Sequence, residues 1–235
     1  MNQIQYLIIN ALAVVIGIVV HESAHALAAY ALGDATARRR GRVSLNPLNH
    51  IDPFGTVILP LLMILAGGPV FAFAKPVPVY LGNLKHPKRD EVLVALAGPA
   101  SNIVLSAAFA LLLHALSPAA ASGVISLAVA NLLASLCVTS IVVNLSLAFF
   151  NLIPLPPLDG SSVLVLFLKG QALQGYYRLQ QYAMPILIIV LYLVPMVLRI
   201  DLVGMYFDVT VYPLANLLLD FVMGEIRSPL NLEAV

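Results

Sequence analysis

Long apolar runs, separated by short polar segments, dominate the chain. Five of these runs have about the length that a helix needs to cross the hydrocarbon core of a bilayer. A sixth apolar run, Thr56–Phe73, is interrupted by Pro60 and by Gly67-Gly68-Pro69, which favours a broken or re-entrant segment shielded from lipid by protein. The five predicted spans are Ile4–Leu32, Glu91–Leu116, Val124–Phe150, Tyr182–Leu198 and Val203–Met223.

Composition supports the same class of protein. The chain is 61% hydrophobic and only 10% charged, whereas a soluble domain carries about 25% charged residues. We therefore predict an all-α polytopic membrane protein in the lipid bilayer of the cell membrane. The formal net charge of +1 gives no reason to expect a nucleic-acid partner. The single Cys137 excludes an internal disulfide and is expected to be a packing residue.

Two short segments do not fit the helical pattern. Arg42–Leu45 and Pro76–Tyr80 are β-branched and flanked by proline, which predicts a small membrane-associated β element. These strands either pair with each other or receive an extended segment of another chain.

The absence of a linker predicts one membrane-embedded domain over residues 1–235. Its core is expected at residues 4–168, followed by a helical hairpin at 182–223 and a frayed tail at 224–235.

Basic residues predict the topology, because Lys and Arg favour the cytoplasmic side. If Thr56–Phe73 crosses the membrane, the 12 basic side chains divide five against seven. If it enters and returns, all but Arg199 lie on one side. We therefore expect the N-terminus outside and the arginine-rich segment after Gly33 in the cytoplasm.

The first span carries the candidate chemistry. His21 and His25 are four residues apart, so a helix presents both from one face, with Glu22 between them in sequence. Two imidazoles at this spacing can bind one zinc ion, and the glutamate can act as general base toward a water at that ion. Polar groups at this depth are costly, which favours a functional site. The alternative is a histidine pair bonded to neighbouring helices, with Glu22 paired to one ring.

A catalytic zinc ion needs a third protein ligand. The embedded carboxylates are Asp159, Asp208 and Asp220. Asp159 follows three prolines within six residues, which break the helix and can direct a carboxylate inward. The re-entrant topology also brings Asp159 to the same membrane half as His25, about 12 Å from the cytoplasmic end of the first span. We favour Asp159; the alternative is a loop turn at a helix end.

Together the motifs resemble the site-2 proteases, a family of intramembrane zinc metalloproteases. The resemblance is carried by His21-Glu22-Ser23-Ala24-His25, by Gly98-Pro99-Ala100-Ser101-Asn102 and by the segment from Asn151 to Gly160, with prolines at 154, 156 and 157. It covers most of the chain and is closest to the compact bacterial members without PDZ or CBS domains. It implies one Zn²⁺ per chain held by His21, His25 and Asp159, with Glu22 as the catalytic base. It also implies cleavage within or near transmembrane segments of protein substrates.

Two asparagines have less specific signals. Asn151 is a candidate substrate-binding donor, although capping of a kinked backbone is a nearly equal alternative. Asn102 is expected to join helices by hydrogen bonds. His50, His86 and His114 lack a partner at ligand spacing and are expected in loops or in packing.

Two other functions remain open at this point. A different protease class would use a glutamate as third ligand, but Glu91 lies at a span entrance and Glu225 and Glu233 lie in the tail. A membrane zinc carrier or channel would place ionisable groups along several spans. Here they cluster at one depth, which favours the protease, with its active site nearer the cytoplasmic face.

Overall fold

The structure is a computed structural model that describes residues 2–58 and 74–224. All regular elements in these ranges are helical. Five short turns of 3₁₀- or π-helix lie at Pro47–Asn49, Pro53–Ile58, Leu81–Asn83, Asp159–Leu166 and Ile189–Leu193. The α-helices are α1 (Gln3–Ala31), α2 (Thr36–Arg39), α3 (Pro87–Ala121), α4 (Leu127–Asn151), α5 (Gly170–Gln180), α6 (Ala183–Ile188), α7 (Val194–Leu198) and α8 (Leu202–Gly224).

Local sequence explains both ends of α1. The side chains of Asn2 and Gln5 bond reciprocally to each other's main-chain N–H, at 2.8 and 3.0 Å, which forms a capping box. At the other end Gly33 has a φ of 115°, and the N–H of Asp34 donates to the carbonyl of Ala29. This αL glycine with a six-to-one hydrogen bond is a Schellman ending, which stops the helix before the arginine-rich segment.

Four helices are long and apolar enough to cross a membrane: α1, α3, α4 and α8. A fifth span results if α5 and residues Ala183–Leu198, which meet at a bend of 73°, are counted together. These numbers hold for the described part of the chain. They confirm the prediction of an all-helical, multi-pass membrane protein at this level.

The chain divides into two compact units, of which the first comprises Met1–Gly17, Ala100–Phe149 and Gly204–Val235. Its core is apolar and is formed by α3, α4 and α8, with Leu113, Ile141 and Val211 fully buried. Asn102 is buried in the same unit and donates to Gly17 O at 3.1 Å and to Asn144 Oδ1 at 2.7 Å. These contacts confirm the interhelical role expected for Asn102.

The second unit comprises Ile18–Pro99 and Phe150–Val203. It contains the C-terminal part of α1, the N-terminal part of α3, and the irregular segments that join the helices. The buried histidine and charged side chains of the described residues lie here: His21, His25, Asp34, Arg42, His50 and Asp90.

The predicted β element is wrong for the described residues, which contain no strand. Side chains bind the main-chain groups that a ladder would pair. Ser44 O accepts from Ser23 Oγ at 2.6 Å and from His50 Nε2 at 2.7 Å. The N–H of Tyr80 donates to Asp34 Oδ2 at 2.7 Å. Arg42–Leu45 and Pro76–Tyr80 are therefore irregular segments held by side-chain hydrogen bonds.

Several predictions fall outside the described residues. Most of the predicted re-entrant segment, residues 59–73, lies there, as does nearly all of the tail, residues 225–235. The organisation as one domain stays a prediction.

Candidate metal centre

The two histidines of the motif lie on one face of α1. His21 and His25 are 7% and 8% exposed, and their rings meet edge to face with centroids 4.6 Å apart. The four-residue spacing on a helix produces this arrangement directly.

A different part of the chain supplies the carboxylate. Asp159 is the first residue of the 3₁₀-helix Asp159–Leu166, immediately after the proline-broken segment that follows α4. The segment folds back tightly on itself: a Cβ added at Gly160 would overlap the carbonyl of Leu152 and stand 2.9 Å from that of Ile153. Only glycine fits at this close approach, and the turn it permits directs the preceding aspartate toward α1.

The structure brings the three predicted ligands together. Asp159 Oδ2 lies 3.1 Å from His21 Nε2 and 3.3 Å from His25 Nε2. One ligand atom from each residue lies within 4.8 Å of the other two. Ligands of a tetrahedral zinc ion are about 3.3 Å from one another, from zinc–ligand bonds of about 2.0–2.1 Å. The spacing therefore fits a zinc ion.

Protonation supports the same fit. His25 Nδ1 lies 2.7 Å from the carbonyl oxygen of Val94, which can only accept, so Nδ1 carries the proton. In neutral His25 the Nε2 lone pair then points toward Asp159 Oδ2. That oxygen is buried and accepts no aligned hydrogen bond from the described residues. Two acceptors facing each other need a proton or a metal ion between them, and the Val94 carbonyl orients the ring as outer-shell groups do in metal sites.

Gly98 leaves the space that the two rings occupy. A Cβ at this position would stand 2.6 Å from His21 Cε1 and closer still to His25 Nε2. Such a contact is shorter than real Cβ atoms tolerate, so any larger residue at position 98 would displace the imidazoles.

The remaining predicted residues have less defined surroundings. Glu22 is half-buried on α1, next to His21 in the chain. Asn151 is the last residue of α4, is half-buried, and is not part of the three-ligand cluster. Asp208 and Asp220 are exposed on α8 and are not in the cluster either. Among the His, Cys, Asp and Glu side chains of the described residues, His21, His25 and Asp159 form the group that could hold a metal.

Sequence reasoning missed two contributors. The Val94 carbonyl leaves no sequence signal, because every residue has a carbonyl. Arg42 is 3% exposed, and an arginine two residues after an exposed basic run gives no indication of burial. The sequence shows Gly98 only as part of a motif, because its role in making room for the imidazoles depends on the helix packing.

A model of peptidase family M50 matches residues 9–194, most of the chain. The chain belongs to peptidase family M50. Two relatives named as zinc metalloproteases agree with this assignment. YwhC of Bacillus subtilis strain 168 is 38% identical over 166 residues, which is 68% of this chain and 67% of the relative. Rip2 of Mycolicibacterium smegmatis is 32% identical over 194 residues, 80% of this chain and 68% of the relative.

The M50 assignment confirms the resemblance to the site-2 proteases and the prediction of an intramembrane zinc metalloprotease. Zinc is accordingly the metal of this family, and the cluster at His21, His25 and Asp159 has the donor set for it. The alternative of a zinc carrier or channel is not favoured. No solved structure gave a significant match to the chain.

Proposed function

We propose that the M50 protein cleaves transmembrane protein substrates at a zinc site formed by His21, His25 and Asp159, with Glu22 as the catalytic base. The observation that carries this proposal is the convergence of two imidazole Nε2 atoms on one carboxylate oxygen at 3.1 and 3.3 Å. Residues far apart in the chain supply these atoms. Because His25 carries its proton at Nδ1, the lone pair of its Nε2 can bind a cation.

Glu22 is suited to proton transfer by its position. It stands between two proposed ligands in the sequence of α1, so its Cα is within about one helical turn of theirs. When bound, zinc supplies a Lewis acid that polarises the scissile carbonyl. The Glu22 carboxylate accepts a proton from the attacking water and later returns it to the nitrogen of the departing amine. The new C–O bond forms first, the peptide C–N bond breaks once its nitrogen has received the proton from Glu22, and no other co-reactant is needed.

Asn151 is proposed as a donor to the substrate main chain. Its amide N–H₂ can bond a carbonyl oxygen of an extended substrate. Its place at the end of α4, eight residues before Asp159 and just ahead of the proline-broken segment, supports this role.

The segment Val43–Leu45 is proposed to bind the unwound substrate. A membrane helix must release its internal hydrogen bonds before a peptide bond can be attacked. Within the described residues, the main chains of Val43 and Leu45 form no hydrogen bond, which supports their pairing with an added strand. A groove of about 390 Å³ runs beside them, lined also by Val20, Ala24 and Leu27 of α1. Its apolar walls suit aliphatic side chains.

The active site is proposed to lie in the cytoplasmic half of the membrane. α1 continues only six residues beyond His25, about 9 Å of helix. Four arginines follow within the next eleven residues after Ala31, and basic residues favour the cytoplasmic side.

The substitution Glu22→Gln tests the proposal, because it removes the proton acceptor and keeps the shape of the side chain. We expect one bound zinc per chain, as in the wild type, and a loss of cleavage of at least about 100-fold. Membrane fractions of cells with either protein are compared by proteomics for helices that accumulate uncut, and one such helix is then used with purified protein.

Asp208→Asn is the matched control, since it removes a carboxylate from a span outside the cluster. It should cleave like the wild type. Normal cleavage by the purified Glu22→Gln protein would show that another group is the base.

A further inference from the structure

Arg42 is a buried cation outside the metal cluster. It follows Gly41 directly and is 3% exposed, although its neighbours Arg39 and Arg40 are exposed. A guanidinium stays charged at any physiological pH, so its burial is costly unless the protein compensates the charge. The contacts of Arg42 therefore indicate which part of the fold its burial stabilises.

The guanidinium joins segments that are distant in sequence. Nη1 donates to the carbonyl of Asn49, and Nη2 donates to the carbonyl of Lys75. A main-chain hydrogen bond from Lys75 N to His50 O, at 2.9 Å, lies beside these contacts. The planar fork of one side chain thus fixes residues 49 and 75 relative to the start of segment Val43–Leu45.

A second attachment lies two residues further along the chain. Ser44 O accepts from Ser23 Oγ at 2.6 Å and from His50 Nε2 at 2.7 Å. Ser23 is part of α1, between Glu22 and His25, so this bond ties the segment to the helix of the metal ligands. The segment is consequently held at its beginning by Arg42 and at its centre by α1.

Electrostatics connect Arg42 with the proposed base. Burial lowers the pKa of the Arg42 guanidinium, and the negative charge of Glu22 acts in the opposite direction. In the described part of the chain, Arg42 bonds to two carbonyls and to no carboxylate, and its buried Nε–H has no partner. The positive charge is therefore held by main-chain carbonyls and is not neutralised by a direct ion pair within the described residues.

We propose that Arg42 is a positioning residue that holds the substrate-binding segment Val43–Leu45 against α1, beside the metal ligands. The inference rests on the proposed function, because it presumes that this segment receives the substrate. It assigns to Arg42 an effect on substrate binding, exerted through the segment, and no effect on the metal.

The test uses full-length protein in lipid nanodiscs, with Arg42→Gln introduced alone and together with Glu22→Gln. The probe is the membrane helix that accumulates in the Glu22→Gln cells, carrying a fluorophore. We expect Arg42→Gln to weaken binding of the probe to the Glu22→Gln protein by about tenfold, which is about the effect of losing one hydrogen bond to a charged group. KM should rise more than kcat falls, and amide hydrogen exchange at residues 43–50 should accelerate. Zinc should stay at one per chain.

Two further variants make the result specific. Arg40→Gln removes the same charge from an exposed position two residues away and should behave as the wild type. Arg42→Lys keeps the charge but cannot span both carbonyls, so an intermediate effect is expected, and ethylguanidinium should partly restore binding in Arg42→Ala.

Wild-type probe binding and wild-type exchange rates in Arg42→Gln would overturn the proposal. Loss of zinc from both Arg42→Gln and Arg42→Lys would also overturn it, because Arg42 would then support the metal site itself. Failure of the proposed function is a separate result, recognised by normal cleavage in Glu22→Gln.

Discussion

Two clusters of buried polar side chains, one in each unit, obey different chemistry. In the first unit, the Asn102 amide donates to Gly17 O and Asn144 Oδ1, and the Asn144 amide donates to Ser140 O at 2.8 Å. Each of these amide donors meets a protein acceptor.

In the second unit, a hydrogen-bond acceptor of neutral His25 faces an acceptor of Asp159. The proton of His25 is used on the Val94 carbonyl, and the remaining nitrogen faces the Asp159 carboxylate at 3.3 Å. The comparison shows that burial of polar groups does not by itself indicate a function. An imbalance between buried donors and acceptors is more informative. A surplus of donors would favour binding of an anion, and a surplus of acceptors favours binding of a cation.

Among the variants that test this difference between the two clusters, Asp159→Asn should have the largest effect. The amide keeps the shape but removes the negative charge, so zinc affinity should fall more than about 100-fold, beyond the range for outer-shell groups. The zinc-free variant should be at least as stable as the zinc-free wild type, because an amide N–H can donate to the His25 lone pair. Chelator competition and thermal unfolding measure the two quantities. Equal zinc affinity in variant and wild type would mean that Asp159 is not a ligand.

Gly98→Ala should come next. The new methyl group would displace the histidine rings, and zinc affinity should fall by about 10–100-fold while the helices remain. Gly175→Ala is the matched control, since a Cβ at Gly175 meets no atom within 4 Å. The absorption spectrum of the cobalt-substituted protein reports ligand geometry directly. An unchanged spectrum in Gly98→Ala would contradict the packing argument.

Asn144→Leu addresses the other cluster and should have a smaller effect. The Asn102 amide loses one acceptor, which should reduce the free energy of unfolding in mixed micelles by about 1 kcal/mol. Zinc stoichiometry should not change, because this cluster needs no cation. Asn216→Leu, on an exposed position of α8, serves as control. A loss of zinc in Asn144→Leu would show that the two clusters do not act independently.

Asp34→Asn concerns a carboxylate outside both clusters, and its effect on stability should be present at neutral pH and disappear in acid. Burial alone would raise the pKa of Asp34, but hydrogen bonds from Asn83, Thr36 and Tyr80 outweigh it and lower the pKa from 3.8 to about 2. A carboxylate with a lowered pKa stabilises the fold above its unfolded pKa, and this contribution is lost as the pH falls from about 4 to about 2. The difference in stability between wild type and Asp34→Asn should therefore vanish across this window, as followed by circular dichroism. A stability difference that stays constant from about pH 4 to about pH 2 would contradict the lowered pKa of Asp34.

Local pattern was sufficient for the elements that depend on short-range physics. The lengths of α1, α3 and α4 follow from apolar runs and from caps such as Gly33, and the pairing of His21 with His25 follows from helical periodicity. The choice of Asp159 was also accessible, because prolines and Gly160 mark a break that can direct a carboxylate inward.

The error at Arg42–Leu45 and Pro76–Tyr80 has a physical cause. β propensity describes side chains that fit a pleated surface, but partners for the main chain come from anywhere in the fold. Here Ser23, His50 and Asp34 bind those groups first, and no sequence pattern reports contacts across such separations.

By itself, the sequence determined that the chain crosses a membrane several times and carries two imidazoles on one helical face, since both depend on residues within a few turns of one another. Tertiary structure alone decided that Asp159 reaches those imidazoles, that Gly98 leaves room for their rings, and that Arg42 is buried. These outcomes depend on distances between residues tens of positions apart, which are set by how helices and turns pack.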